Sequence, residues 1–393
     1  MNSDWKPMKL IDIIQKTETI NPQKTPNASF EYIDISSICN KQFVIQETST
    51  MFGKDAPSRA RKLVKTGDVL FATVRPTLKR IAQVPKHLDR QVCSTGYFVF
   101  RAKDFVEAKF IFYFLFTEHF MGAMEQLQKG ASYPAVNDGE VSNQTILMPP
   151  LPEQKRIVAI LDEAFEGIDR AIANTEKNLA NARELFESYL NAIFTQKGDG
   201  WKNKKLGDIC ENLDSKRIPI TKSKRPTGSI PYYGASGIVD YVANFIFNEN
   251  LLLVSEDGAN LLARTYPIAF SISGKTWVNN HAHVLHFREM SLQKFVEYYL
   301  NSISLASYIS GMAQPKLNQK ALNSISVPLA PKAERERIIE NLDVLTQETQ
   351  RLETIYHQKI AVLNELKQSI LQKAFTGELT ADTPKTVKEE MAA

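Results

Sequence analysis

Two stretches of the chain place apolar residues at intervals of seven. In the first, Val158, Phe165, Ile172, Leu179, Phe186 and Ile193 form one series, and Leu161, Ile168, Thr175, Ala182 and Tyr189 interleave with it. Alternating steps of three and four put both series on one helix face, which predicts a long helix with a coiled-coil seam. Pro149, Pro150 and Pro152 precede it, and Glu153 opens it with acids in the early turns, where the helix dipole favours them. Lys197-Gly198-Asp199-Gly200 ends it. In the second stretch Leu342, Leu345, Leu352, Tyr356, Leu363, Leu366 and Ile370 make a looser stripe, predicting a helix from Glu334 to about Gly377. A helix of about 42 residues is roughly 63 Å long. Alone it would expose an apolar line along its whole length, so the two helices are expected to pair. The chain path favours an antiparallel pair with a globular unit at either end.

The globular stretches have a shorter rhythm. Residues 68–74 are an apolar run with β-branched members behind the turn signal Thr66-Gly67, residues 97–100 read as another strand, and 105–118 is apolar at helical spacing. After residue 200 the order returns, with strands at 251–254 and 283–287 and a helix at about 292–300. The irregular alternation argues for mixed units with antiparallel strands rather than a doubly wound sheet. The two halves also align. Residues 130–195 match 311–376 without a gap at a constant offset of 181, pairing Pro134 with Pro315, Asn137 with Asn318, Ile157 with Ile338, Leu161-Asp162 with Leu342-Asp343, and Phe194-Thr195 with Phe375-Thr376. Trp5-Lys6 with Lys9-Leu10 recurs as Trp201-Lys202 with Lys205-Leu206. A chain that writes a globular unit and then a long helix twice can present two similar heads to one extended partner.

Composition narrows the class. Of 393 residues, 43% are apolar and 23% charged, the balance of a soluble protein with two or three domains. The longest aromatic-rich run, 110–116, is far short of a membrane span. No basic-then-apolar leader opens the sequence, and Cys39, Cys93 and Cys210 stand alone, so a reducing cytoplasm is the expected setting. The net charge of +4 is unevenly spread: +4 over residues 1–150 and +6 over 201–332, against −3 over 151–200 and −2 over 333–380. Basic heads and acidic helices suit heads that touch a polyanion through a connector that does not.

Within the heads, Arg59, Arg61, Lys62, Arg75, Lys79 and Arg80 cluster in the first, and Lys216, Arg217, Lys222, Lys224 and Arg225 in the second. Phosphates need cations and the guanine edge needs a bidentate fork, so these are the candidate DNA contacts; a solvated basic face is the alternative for any one of them. Tyr232, Tyr233 and Ser236, in a loop at 231–237 with small residues, are candidates at a base edge or, equally, core tyrosines at a turn. Lys275, Asn279 and Asn280 complete the set. His281 and His283 alternate on a strand but no third metal ligand accompanies them. The string 269–276, ending Gly274-Lys275-Thr276, fits a relaxed phosphate loop, yet strand-like alternation follows it where a phosphate loop opens a helix. No cofactor loop, amino-methyltransferase tetrapeptide or nuclease carboxylate frame is recognisable.

Residues 148–162, Met-Pro-Pro-Leu-Pro-Glu-Gln-Lys-Arg-Ile-Val-Ala-Ile-Leu-Asp, resemble the opening of the conserved helix in specificity (S) subunits of Type I restriction-modification systems. Residues 57–71 with Arg75-Pro76 resemble one type of target recognition domain, and Gly274 with 277–285 another. Residues 331–339 keep only part of the helix-opening pattern. The resemblance covers nearly the whole chain and implies an α+β (mixed) fold, in which two pseudo-symmetric α/β target recognition domains (1–150 and 201–332) are separated by a long antiparallel two-helix coiled coil (151–200 and 333–380), with a tail at 381–393. It implies that each head reads one half of a split target in double-stranded DNA while the coiled coil sets the spacer. Two methyltransferase subunits would dock on the helices, bring S-adenosylmethionine and methylate adenine N6, and restriction subunits using Mg²⁺ and ATP can join. The chain itself would bind no cofactor or metal and carry no catalytic residue. Two other readings are a DNA-acting enzyme in its own right, a nuclease or ATPase, and an assembly adaptor that never touches DNA.

Overall fold

The structure, a computed structural model, describes residues 5–311 and 314–381. The expected tail lies, apart from Ala381, outside the described residues. The chain forms two compact units: Met1–Asn174 with Lys359–Ala393, and Thr175–Gln358. The division falls inside both long helices, so each unit owns one head, one part of the first long helix and one part of the second.

Unit one contains strands β1 (Lys6–Lys9), β2 (Ile14–Gln15), β3 (Ser29–Ile33), β4 (Ser49–Phe52), β5 (Ala60–Leu63), β6 (Val69–Ala72), β7 (Ile81–Gln83), β8 (Val92–Ser94), β9 (Tyr97–Ala102) and β10 (Thr145–Met148). Unit two contains β11 (Lys202–Lys205), β12 (Glu211–Asn212), β13 (Thr227–Gly234), β14 (Gly237–Val242), β15 (Phe247–Asn248), β16 (Leu251–Ser255), β17 (Ala269–Ile272), β18 (Lys275–Val278), β19 (Ala282–His286) and β20 (Ser326–Leu329). The sheet orders are β2-β9-β6-β7 and β4-β3-β8-β5 in the first, β12-β19-β16-β17 and β14-β13-β18-β15 in the second. Adding ten to each strand number converts one head into the other. Pairing is antiparallel except for β3 with β8 and β13 with β18, which are parallel.

The central strand of each head is apolar throughout because both of its faces are covered. Val69 and Phe71 join one core cluster, Leu70 and Ala72 another. In unit two Leu252 and Val254 face one way, Leu251 and Leu253 the other. This double burial explains why residues 68–74 and 251–254 read as continuous apolar runs rather than as alternating strands. The helix expected at 105–118 is shorter, α1 (Ala108–Phe114), and a second helix, α2 (Glu118–Leu127), follows it, because Thr117 turns the chain and caps the second through its hydroxyl. Its counterpart α3 (Met290–Ser302) is unbroken.

The long helices α4 (Leu151–Thr195) and α5 (Lys332–Thr376) both run 45 residues. Each begins two residues before its expected start; Pro152 sits inside the first turn, where its missing N–H leaves no bond unmade. Within unit one, Phe165 and Asp169 of α4 meet Lys367 of α5: Lys367 lies 5.0 Å from the Phe165 ring centre and 2.6 Å from the Asp169 carboxylate. Within unit two, Arg183 of α4 bonds Glu353 of α5 at 2.5 Å. Low numbers on one helix meet high numbers on the other in both units, so the pairing is antiparallel.

Most of the expected seam is covered, including Val158, Leu161, Ile168 and Leu179 on α4 and Leu342 on α5. Three positions depart from it. Tyr189 is 39% exposed and Leu190 is buried in its place, because an α-helix drifts against a strict seven-residue repeat and the phase slips by one residue near its end. Leu352 and Leu366 are exposed, while their neighbours Glu353 and Lys367 face the partner helix. Charged side chains with long aliphatic stems fill those seam positions and satisfy their ends in ion pairs, which a search for apolar periodicity passes over.

Each head is clasped to its long helix by the same three groups. Asp162 accepts from Lys109 (2.7 Å) and from the Tyr113 hydroxyl; Asp343 accepts from Lys294 (2.6 Å) and the Tyr298 hydroxyl (2.7 Å). Burial and the adjacent carboxylate push both tyrosine hydroxyls well above their usual pKa, so they remain donors. This accounts for the repeated Leu-Asp in the two helices. Around the clasps, Phe110 and Phe114 pack tilted against Phe375 in unit one, and Phe295 and Tyr299 pack edge-on against Phe194 in unit two.

Unit two also has a buried ionic network. His283, 1% exposed at its side chain, places Nδ1 2.6 Å from Asp214 and Nε2 2.7 Å from the Leu317 carbonyl. Arg217 reaches Glu256 (2.6 Å) and the Ala282 carbonyl (2.7 Å), and Lys316 reaches Glu256 (3.2 Å). No third ligand is expected beside His281 and His283 from their sequence neighbourhood, yet Asp214 and Glu256 lie beside His283, brought together by the pairing of β12, β16 and β19. These atoms are engaged with one another and with two cations, so the arrangement is an ion network rather than an open ligand set. Burial alone would raise the Asp214 carboxyl, but His283, the Val284 amide and Arg217 together hold it below its usual pKa. A lowered carboxylate stabilises the fold above its unfolded pKa of about 3.9 and loses that contribution as pH falls through the lower folded value. We predict that His283→Ala destabilises this unit by about 3–5 kcal/mol, because it leaves Asp214 buried without its partner. Amide exchange within residues 202–331 as a function of denaturant checks the loss, and Asp214→Asn is expected to flatten the acid limb of the same measurement.

Candidate nucleic-acid interface

In head one the chain leaves β6 through a short excursion that carries two candidate cations. Arg75 (φ 51°) and Lys79 (φ 53°) both lie in the left-handed region on either side of a 3-10 turn, Pro76–Leu78. Side chains other than glycine are strained there, and the surroundings must hold them. A second loop does so. The Arg75 amide donates to the Pro134 carbonyl (2.7 Å), the Val136 amide to the Thr73 carbonyl (3.0 Å), and Lys129 and Ala135 exchange two backbone bonds of 2.9 Å. The Arg75 guanidinium donates to the Ser132 carbonyl (3.2 Å) and lies 4.8 Å from the centre of the Tyr133 ring. Tyr133 itself is 71% exposed.

Head two repeats the frame with other side chains. The Gly258 amide donates to the Pro315 carbonyl (3.1 Å), the Leu317 amide to the Glu256 carbonyl (2.8 Å), and Ser310 and Lys316 exchange bonds of 2.9 and 2.8 Å. The position of Arg75 is taken by Gly258 (φ 104°) and that of Tyr133 by the exposed Gln314. Arg264 (φ 54°), like Lys79, caps a short helical turn in the left-handed region, and its guanidinium turns inward to the Leu300 and Ile303 carbonyls at the end of α3. Gly130 (φ 108°) and Gly311 (φ 84°) open the two loops; a side chain there would also meet the Tyr133 or Gln314 carbonyl, at 3.1 and 2.5 Å.

The expected contacts divide into two sets. Lys62 is held by the Tyr97 carbonyl (2.7 Å) and Asp138 (2.9 Å), and Arg80 by the Ile35 and Ile38 carbonyls (3.0 and 3.1 Å). Arg217 belongs to the network above, and Arg225 bonds Asp240 (2.9 Å) and lies 4.4 Å from the Tyr232 ring centre. Their charge serves the heads' own framework. Tyr232 and Tyr233 are on β13 rather than in a loop; Tyr232 is 1% exposed with its hydroxyl on the Ile220 backbone, and only Ala235-Ser236 make the turn, leaving Ser236 exposed. Asn279 is buried and accepts from the His281 amide, whereas Asn280 is exposed. The second set faces solvent without an ion pair among the described residues: Arg59, Arg75, Lys216, Lys222, Lys224 and Lys275, with the partly covered Arg61 and Lys79. Lys275 lies on β18, directly after the Gly274 turn, so a strand and not a helix follows the phosphate-loop-like string. No helix dipole is available to an anion there.

Tyr133 and Gln314 were not among the expected contacts. The signal was present in the matching Gly130/Pro134 and Gly311/Pro315, but a search for cation clusters does not weigh an aromatic or an amide inside a turn.

The family model for the Type I restriction modification DNA specificity domain matches residues 2–180 and 198–363. The chain is 34% identical to the specificity subunit of the Type I restriction enzyme EcoDI from Escherichia coli, over 64% of this chain and 66% of that protein. It is 30% identical to the HindI specificity subunit of Haemophilus influenzae, over 48% of this chain and 41% of that one. Among solved structures, a chain from a study of complex assembly and conformational transition of the type I R-M system superposes with a TM-score of 0.85 at 28% identity, covering 96% of this chain and 99% of that one. The HsdS subunit from Thermoanaerobacter tengcongensis gives 0.64 at 29% identity, over 96% and 98%. With two matched domains and the duplicated sheet-and-helix plan, the chain belongs to the family of specificity subunits of Type I restriction-modification systems.

Proposed function

We propose that this chain is the DNA-reading subunit of a restriction-modification complex and supplies address rather than chemistry. Each head reads one half of a split target in double-stranded DNA, and the long helices set the number of unread bases between the halves. The observation that carries this reading is the duplicated head, built twice with one sheet plan and carrying exposed cations without an ion pair among the described residues. Two methyltransferase subunits dock on the long helices, bring S-adenosylmethionine and methylate adenine N6; restriction subunits that join would bring Mg²⁺ and ATP. Val344, Ile355 and Val362 of α5, 55, 44 and 60% exposed outside the seam, support a helix that takes a protein partner. Among the described residues no helix is long and apolar enough to cross a membrane, which suits a protein that works on DNA in the cytoplasm. An intrinsic ATPase is disfavoured by the strand that follows Gly274.

Two measurements test this. Binding of the assembled complex to target DNA is expected to fall steeply with salt, and each exposed cation removed (Arg59→Ala, Lys216→Ala, Lys222→Ala) lowers the logarithmic slope by up to about 1 if it contacts phosphate. A flat salt dependence would favour the adaptor that never touches DNA. Inserting seven residues at facing points of α4 and α5 keeps the seam in phase and adds about 10.5 Å. The preferred spacer should then lengthen by about three base pairs of ~3.4 Å each. An unchanged spacer would remove the ruler.

A further inference from the structure

The two heads hold out different side chains on one backbone frame. In each, a loop opened by glycine and closed by proline (130–134 in head one; Gly311 and Gln314-Pro315 as its described residues in head two) is fastened to the turn after the central strand by the same set of main-chain hydrogen bonds. A frame fixed on both sides by main chain is indifferent to the residue at its tip, so the tip can change without disturbing the fold. In head one the tip is Tyr133, 71% exposed and covered on one face by Arg75. In head two it is the exposed Gln314, and the residue opposite is Gly258.

We propose that these loops are the specificity-determining tips of the two heads, with Arg75 reading a guanine in one half-site and Gln314 an adenine in the other. This rests on the reading that the heads contact DNA. Arg75 spends one N–H on the Ser132 carbonyl and faces no carboxylate among the described residues, so the rest of its planar fork is free. Such a fork matches O6 and N7 of guanine, and the Tyr133 ring fixes its plane. Tyr133 is therefore a positioning residue: it acts through the guanidinium that rests on it. The Gln314 carboxamide offers one donor and one acceptor side by side, the complement of adenine N6 and N7. Unlike tips on like frames account for how a duplicated protein reads two unlike half-sites.

The test is selection of bound duplexes from a randomised pool by the assembled complex, parent and variants, with the salt slope measured in parallel. Arg75→Lys and Tyr133→Ala are expected to lower the preference for one guanine position in one half-site about five- to a hundredfold and to leave the other half unchanged. Tyr133→Phe, which keeps the ring, should retain it. Gln314→Ala should relax one adenine position in the opposite half only. Variants that bind with the parental salt slope and keep every base preference would overturn the assignment, as would equal loss of preference in both halves. A parent complex that does not bind DNA at all would instead remove the DNA-reading function on which the proposal stands.

Discussion

Neither head closes its own core. In unit one the cluster around Phe71, Phe110 and Phe120 is completed by Ile157, Val158 and Leu161 from the start of α4 and by Leu371 and Ala374 from the end of α5. In unit two Phe295 packs with Leu190 and Phe194 from the end of α4 and with Ile339 and Leu342 from the start of α5. Each unit thus needs two segments far apart in sequence, 213 residues from Leu161 to Ala374 in unit one and 148 from Phe194 to Leu342 in unit two, and the antiparallel pairing of the helices delivers both. Apolar burial of this kind is the main stabilising term in a fold, and here it ties head and connector into one body within each unit. The clasps at Asp162 and Asp343 add direction to that non-directional force, because a carboxylate that accepts from both a lysine and a tyrosine fixes the helix about its axis as well as along it.

The repeat made much of this legible in the sequence. Heptad spacing located both long helices, the offset of 181 exposed the duplication, and apolar runs marked the central strands. What escaped has physical reasons. Glu353 and Lys367 sit in the seam because their charges are paired there, which no apolar pattern reveals. The clasp partners Lys109 and Tyr113 answer Lys294 and Tyr298 at an offset of 185 rather than 181, since the heads differ in length ahead of the aligned stretch. Among the candidate contacts, sequence identifies a cation but not its destination. Arg80, Arg217 and Arg225 are drawn inward by carbonyls and carboxylates that only the fold brings near, while Arg59 and Arg75 stay outside.

Duplication followed by divergence at the tips is a simple route to an asymmetric reader. The sheet order, the parallel strand pair, the clasp and the fastened loop are shared, and these fix where a presented residue stands. The differences lie in what costs the fold little to change: arginine or glycine at the strained turn, and tyrosine or glutamine at the loop tip.

The central claim is that two independent heads choose where borrowed chemistry acts. It is tested most directly by mapping every methylated adenine in DNA from cells that carry this chain with its methyltransferase, against cells that carry the methyltransferase alone. The account predicts methylation in a motif of two short blocks with a fixed number of unread bases between them, present only when the chain is present. A single uninterrupted motif, or a pattern unchanged when the chain is absent, would contradict it.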